Sequence, residues 1–126
     1  MSTMALVEGP GGVVAAWETD GQIYFASLSR KREPARKPGT DSFTKPQAAP
    51  GTGRERKHPA LAVNAKGETI LVWTEGTGWE RGGALVWQAF DQSGTATEDR
   101  GRSDGGIPVW GLPTVVATDG GFTIIH

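Results

Sequence analysis

At 126 residues and a formal net charge of −1, the chain is long enough for one modest core and has no global charge to draw it to nucleic acid or an anionic membrane. It contains no cysteine, which excludes a disulfide framework and a thiolate metal site. Apolar residues make up only 37%, against 19 glycines and five tryptophans, so the composition reads as all-β with many turns and a core carried by a few large rings.

Residues 1–29 contain two strand-like runs, Val13 to Trp17 and Gln22 to Leu28, joined through Asp20-Gly21, a strong short-range hairpin signal. Both runs are apolar at nearly every position, the pattern of strands buried on two faces. From 30 to 57 the character changes. Nine basic residues (Arg30, Lys31, Arg32, Arg36, Lys37, Lys45, Arg54, Arg56 and Lys57) are interrupted by Pro34, Pro38, Pro46, Pro50 and several glycines. This reads as an extended, solvated loop, with one short outer strand near Ser42-Phe43-Thr44. With Phe43 its only aromatic, the loop lacks the stacking platform of a nucleic-acid site, so no nucleic acid is expected as partner.

The segment His58 to Asp91 is the clearest unit. Pro59 to Val63 is a short apolar run, and Asn64-Ala-Lys-Gly67 supplies turn chemistry. Thr69 to Trp73 is a β-branched and aromatic strand, and Ala84 to Phe90 is a third. After Asp91-Gln-Ser-Gly94 a polar segment from Thr95 to Gly106 leads out, and Ile107 to Leu112 bridges to Thr114 onward.

Weaker copies of this unit flank it. Pro59 to Gly67 and Pro113 to Gly121 have the same spacing, and Trp17 and Trp73 correspond 56 residues apart, which leaves His126 one residue short of the next tryptophan position. A period of roughly 55 residues with several strands per unit means radial or stacked repetition of small sheets. The expected organisation is a single domain over 1–126 with repeats at 4–28, 58–91 and 112–126 and the basic loop at 30–57. The expected fold is all-β, with antiparallel β-propeller blades: about two blades plus a closing or truncated hairpin. Trp17, Trp73 and Trp87 are expected in its core.

The pattern Pro-Ala-Leu-Ala-Val-Asn-x-x-Gly-x-x-x-Leu-Val-Trp over 59–73, with the Gly21-Gln-Ile-Tyr-Phe-Ala-Ser strand, resembles the repeats of sialidase-superfamily β-propellers. That resemblance implies four-stranded blades. The superfamily's Asp-box, Ser-x-Asp-x-Gly-x-Thr-Trp, is absent, and the sole tyrosine, Tyr24, lies in a repeat strand with no glutamate partner beside it. No catalytic residue therefore carries over, and whether the chain is an enzyme is left open. Two blades and a hairpin do not make a ring. The resemblance thus calls for missing blades from a longer chain or for homo-oligomerisation; the remaining alternative is that the three repeats fold into a small sandwich instead.

The loop after Trp73 holds Glu75, Trp79, Glu80 and Arg81 on a glycine-rich hairpin, and Trp110 lies between Pro108 and Pro113. Aromatic rings stack on the C–H faces of sugars while carboxylates and guanidinium groups bind hydroxyls, so these five residues are the candidate contacts for a glycan or a protein. As a glycosidase pair, Glu75 and Glu80 would need a set separation and one raised pKa, which proximity in sequence does not supply. His58 and His126 show no ligand spacing, and His58 reads as a water-exposed strand start. No nucleotide-binding glycine motif occurs, so no metal or cofactor is expected. No stretch approaches the roughly 20 apolar residues of a membrane span. The start lacks a signal peptide, so location is open, exported only if the chain belongs to a longer exported protein. The function expected is a non-catalytic propeller module binding through rim loops; the alternative is the C-terminal part of a sialidase-like glycoside hydrolase whose catalytic residues lie outside this chain.

Overall fold

A computed structural model describes residues 3–29 and 44–126, and among them are ten strands in three antiparallel sheets and no helix. Strands β1 (Met4–Gly9), β2 (Gly12–Thr19), β3 (Gln22–Ser29) and β4 (Gln47–Ala48) follow one another across the first sheet. Strands β5 (Arg56–Val63), β6 (Thr69–Glu75), β7 (Gly83–Phe90) and β8 (Ala96–Ile107) do the same in the second, and β9 (Thr114–Thr118) pairs with β10 (Gly121–Ile125) as a hairpin. None of the three sheets closes on itself.

The turns follow their local chemistry. Asp20 and Gly21 both take positive φ, 51° and 75°, the two-residue turn whose twist matches the flanking strands. Asn64 Oδ1 accepts from the backbone N–H groups of Lys66 and Glu68 at 3.0 Å each, and Gly67 sits at φ 80°.

Two sequence readings need correction. The polar segment after Gly94 is not a lead-out but β8, a 12-residue strand on the edge of the second sheet. Its Thr, Glu, Asp and Arg residues fit an edge strand, where charge faces water and discourages further pairing. The outer strand expected near Ser42-Phe43-Thr44 lies, but for Thr44, outside the described residues, as do Arg30 to Lys37; the described outer strand is Gln47–Ala48, and Thr44 joins β3 by a bond from its N–H to Ser27 O at 2.8 Å. Arg56 and Lys57 do not belong to a solvated loop: they open β5, and Arg56 is 1% exposed.

The second sheet is the middle layer. One of its faces, with Leu71, Trp73 and Phe90, packs on Ala16, Ile23 and Phe25 of the first sheet, with Ala49 at the edge. Its other face, with Ile70, Val72, Leu85 and half-buried Trp87, packs on Val115, Phe122 and Ile124 of the hairpin. Burial on both faces explains why β6 lacks the alternation of a one-sided strand. Close approach depends on two glycines: a Cβ at Gly9 would fall 2.4 Å from Val63, and one at Gly101 would fall 2.2 Å from the Trp87 ring.

Cross-strand register allows the three expected repeats to be laid over one another. Two residues before each tryptophan, Leu6 lies opposite Ala15 and Leu61 opposite Leu71; in the hairpin Val115 lies opposite Ile124. If Leu61 and Val115 are matched, the β9–β10 register carries His126, not a later residue, to the place of Trp73. The reason is that the Asp119-Gly120 turn is shorter than the Asn64–Glu68 one. Trp17 and Trp73 occupy equivalent places, but their burial differs. Trp73 is 1% exposed under the first sheet, whereas Trp17 is half-buried on a face that no other described sheet covers.

Candidate functional site

Two polar assemblies lie at the end of the stack where β6 turns into β7. The first is internal. Arg56 donates from Nε to Glu75 Oε1 at 3.1 Å, from Nη1 to Gln22 Oε1 at 2.9 Å and Ala49 O at 2.7 Å, and from Nη2 to Pro50 O at 2.7 Å. Its guanidinium carbon lies 5.2 Å from the centre of the Trp73 ring, in reach of a cation–π contact. Trp73 Nε1–H donates to the same Glu75 oxygen at 3.0 Å, and Arg102 donates to the other. Gly51 and Gly53 let the backbone close over this pair: a Cβ at Gly53 would sit 2.2 Å from the Glu75 carboxylate, and one at Gly51 would sit 3.1 Å from Arg56 Nη2. Among the described residues no buried side-chain polar atom lacks a partner.

Desolvation by itself would raise the Glu75 carboxyl. The hydrogen bonds from Trp73 and Arg102 and the charges of Arg102 and Arg56 outweigh it, and its pKa lies below the ordinary 4.5. Such a carboxylate stays ionised at neutral pH and is unsuited to the general-acid role of a glycosidase pair. It is 6% exposed and committed to three partners, so Glu75 is a structural anchor and not a surface contact. The sign of the linkage follows. With the folded pKa below the unfolded one, the stabilisation is complete above about pH 4.5 and is lost as the pH falls through the lower native value. Urea midpoints measured from pH 6 down to pH 2 should drop more steeply in the wild type than in Glu75→Gln; parallel curves would remove Glu75 from the acid sensitivity.

The second assembly is open. Gly78 and Arg81 exchange two backbone hydrogen bonds of 3.1 Å, a tight turn that lifts Trp79 and Glu80 away from the sheet. Trp79 is 82% exposed, and its ring meets Trp110 edge-on, with centroids 4.9 Å apart at 90°. Trp110 is itself 67% exposed and held by the turn in which Gly111 N–H bonds Pro108 O at 2.9 Å. The two rings border a groove of about 570 Å³ whose other walls include Glu18, Lys57, His58 and Arg81.

The charges around this groove are partly matched. Lys57 Nζ donates to Thr77 O at 3.2 Å, and Arg81 faces Glu55 at 3.6 Å. Burial lowers the His58 pKa below 6.5, and Lys57 adds to that effect while Glu18 opposes it. The imidazole is therefore neutral at pH 7 and can both donate and accept. His58, Glu80 and Trp110 have φ of 53°, 52° and 67°. Left-handed backbone at non-glycine residues costs of order 1–3 kcal/mol each and tends to concentrate where side chains are aimed at a ligand.

Of the five residues singled out from sequence, Trp79, Arg81 and Trp110 border one groove, Glu80 stands exposed at the tip of its loop, and Glu75 lies inside the protein. Sequence reasoning missed Glu18, Lys57 and His58. Lys57 and His58 reach the groove because β5 shifts register between Lys57 and Ala60. Pro59, which cannot donate to the ladder, was the available signal for that irregularity. Glu18 comes from the end of β2 and had none. No family model, no curated protein and no solved structure matches the chain. Among the described residues no group of three His, Asp or Glu side chains could hold a metal ion, and no helix is long and apolar enough to cross a membrane.

Proposed function

We propose that this chain is a non-catalytic β-propeller module, its stacked sheets serving as blades, that binds a glycan through the Trp79–Trp110 groove on its rim. The propeller reading is supported by the strand order. Two four-stranded sheets, each crossed strand by strand in chain order, pack face to face with a hairpin that repeats their first half.

The observation that carries the binding reading is the exposed, perpendicular tryptophan pair. Large rings left in water are unfavourable, and such a patch marks a binding surface. Trp79 presents an aromatic face to the C–H face of a sugar ring, and the second ring closes one side. Lys57, Arg81, Glu18 and neutral His58 supply donors and acceptors for hydroxyl groups around it.

The test is a saccharide panel followed by titration calorimetry. Trp79→Ala and Trp110→Ala should each weaken binding of the best saccharide at least about tenfold, equal to about 1.4 kcal/mol. The unfolding free energy of Trp79→Ala should stay within the range of a neutral surface change, about 0.5 kcal/mol. If no saccharide binds, or if Trp79→Ala unfolds the protein, the reading fails.

A further inference from the structure

We propose that the face of the first sheet that no other described sheet covers is a docking surface for the β9–β10 hairpin of a second copy of this chain, so that copies join head to tail. The proposal rests on the repeat geometry and not on the rim groove. Register places four rows on that face: Thr19 with Gln22, Met4 with Trp17 and Tyr24, Leu6 with Ala15 and Ala26, and Glu8 with Val13 and Leu28. The two middle rows are largely apolar, and the outer rows bring Thr19 and Gln22 at one end and Glu8 at the other. Met4 is 68% and Leu6 64% exposed, and Trp17 lies stacked on Tyr24 with centroids 6.4 Å apart.

The second sheet shows what this face is for. Its equivalent row contains Trp73, which is 1% exposed because the inner face of the first sheet covers it. The same kind of junction recurs between the second sheet and the hairpin. Among the described residues the stack contains this contact twice and leaves one half of it open on each outer face. At the hairpin end, Thr114, Val116 and Thr118 share the outward face with Thr123 and Ile125, and Val116 and Ile125 are 47% and 54% exposed.

Each open face is the counterpart of the other, so both halves of the missing junction are carried by one chain. A contact of this heterologous kind closes into a ring when its rotation divides a full turn. The net charge of −1 leaves little long-range repulsion between copies.

Sedimentation velocity across a wide concentration range tests this. The wild type should run as a multiple of the single-chain mass, and Leu6→Asp and Ile125→Asp should each reduce it to one chain. Mixing the two variants should give a two-chain species, because the intact hairpin of the first meets the intact sheet face of the second. Three results would overturn the proposal: a wild type that stays at one-chain mass at every concentration, in which case another segment or protein covers the face; an assembly that Ile125→Asp leaves intact; or two variants that do not complement. Near-ultraviolet circular dichroism reports folding of each variant. If Leu6→Asp unfolds, Ile125→Asp still decides, since its side chain lies on the open hairpin face.

Discussion

Replacing Arg56 by alanine should lower the unfolding free energy by about 3–5 kcal/mol, the range for breaking a buried ion pair from one side. The guanidinium is 1% exposed and satisfies Glu75, Gln22, Ala49 and Pro50 together. Without it the Glu75 carboxylate keeps only Trp73 and Arg102, and the Ala49 and Pro50 carbonyls lose a charged donor. Arg56→Lys should recover little, because an ammonium is a point donor and cannot span a carboxylate on one side and two backbone carbonyls on the other. Urea denaturation at pH 7 with an unchanged slope checks this. A loss under about 1 kcal/mol, the value of a surface pair, would mean that the network does not form in solution.

Trp73→Ala should cost a similar amount, about 3–5 kcal/mol, by the loss of a buried aromatic and the cavity that follows. Trp73 packs with Leu71, Ile23 and Phe90 between the first two sheets, lies against Arg56 and donates to Glu75. Trp73→Phe keeps most of the ring and loses the N–H bond to a charged acceptor, so its cost should be about 1–3 kcal/mol. Chemical denaturation of the two variants, side by side with Trp79→Ala, separates core from rim. Equal effects at positions 73 and 79 would contradict the burial of 1% against 82%.

Strands whose partners are adjacent in sequence were readable in advance. β2, β3, β6 and β7 announce themselves by apolar, β-branched runs bounded by Asp20-Gly21, Asn64 to Gly67 and Asp91 to Gly94, each a turn by its own local chemistry. β8 was not readable, because an edge strand exposed to water has the composition of a loop. The candidate site was half readable. Trp79 and Arg81 share one turn, and Trp110 stood out between two prolines, yet nothing in their 31-residue separation says that the rings touch. Glu75 and Arg56 were misjudged for a single reason: charge in a glycine-rich stretch normally means water, and here each removes the need for water around the other.

The amino-acid order by itself determined the apolar strands β2, β3, β6 and β7 and the tight turns that bound them, because those depend on side-chain period and backbone preference within a few residues. Only the packing of one sheet on the next decided that Trp73 is buried while Trp17 is half-buried on a face that no other described sheet covers, that Arg56 and Glu75 meet inside, and that Trp79 and Trp110 share a groove with His58. Burial and pairing are properties of surfaces brought together across long stretches of chain, and no local pattern encodes which surfaces those will be.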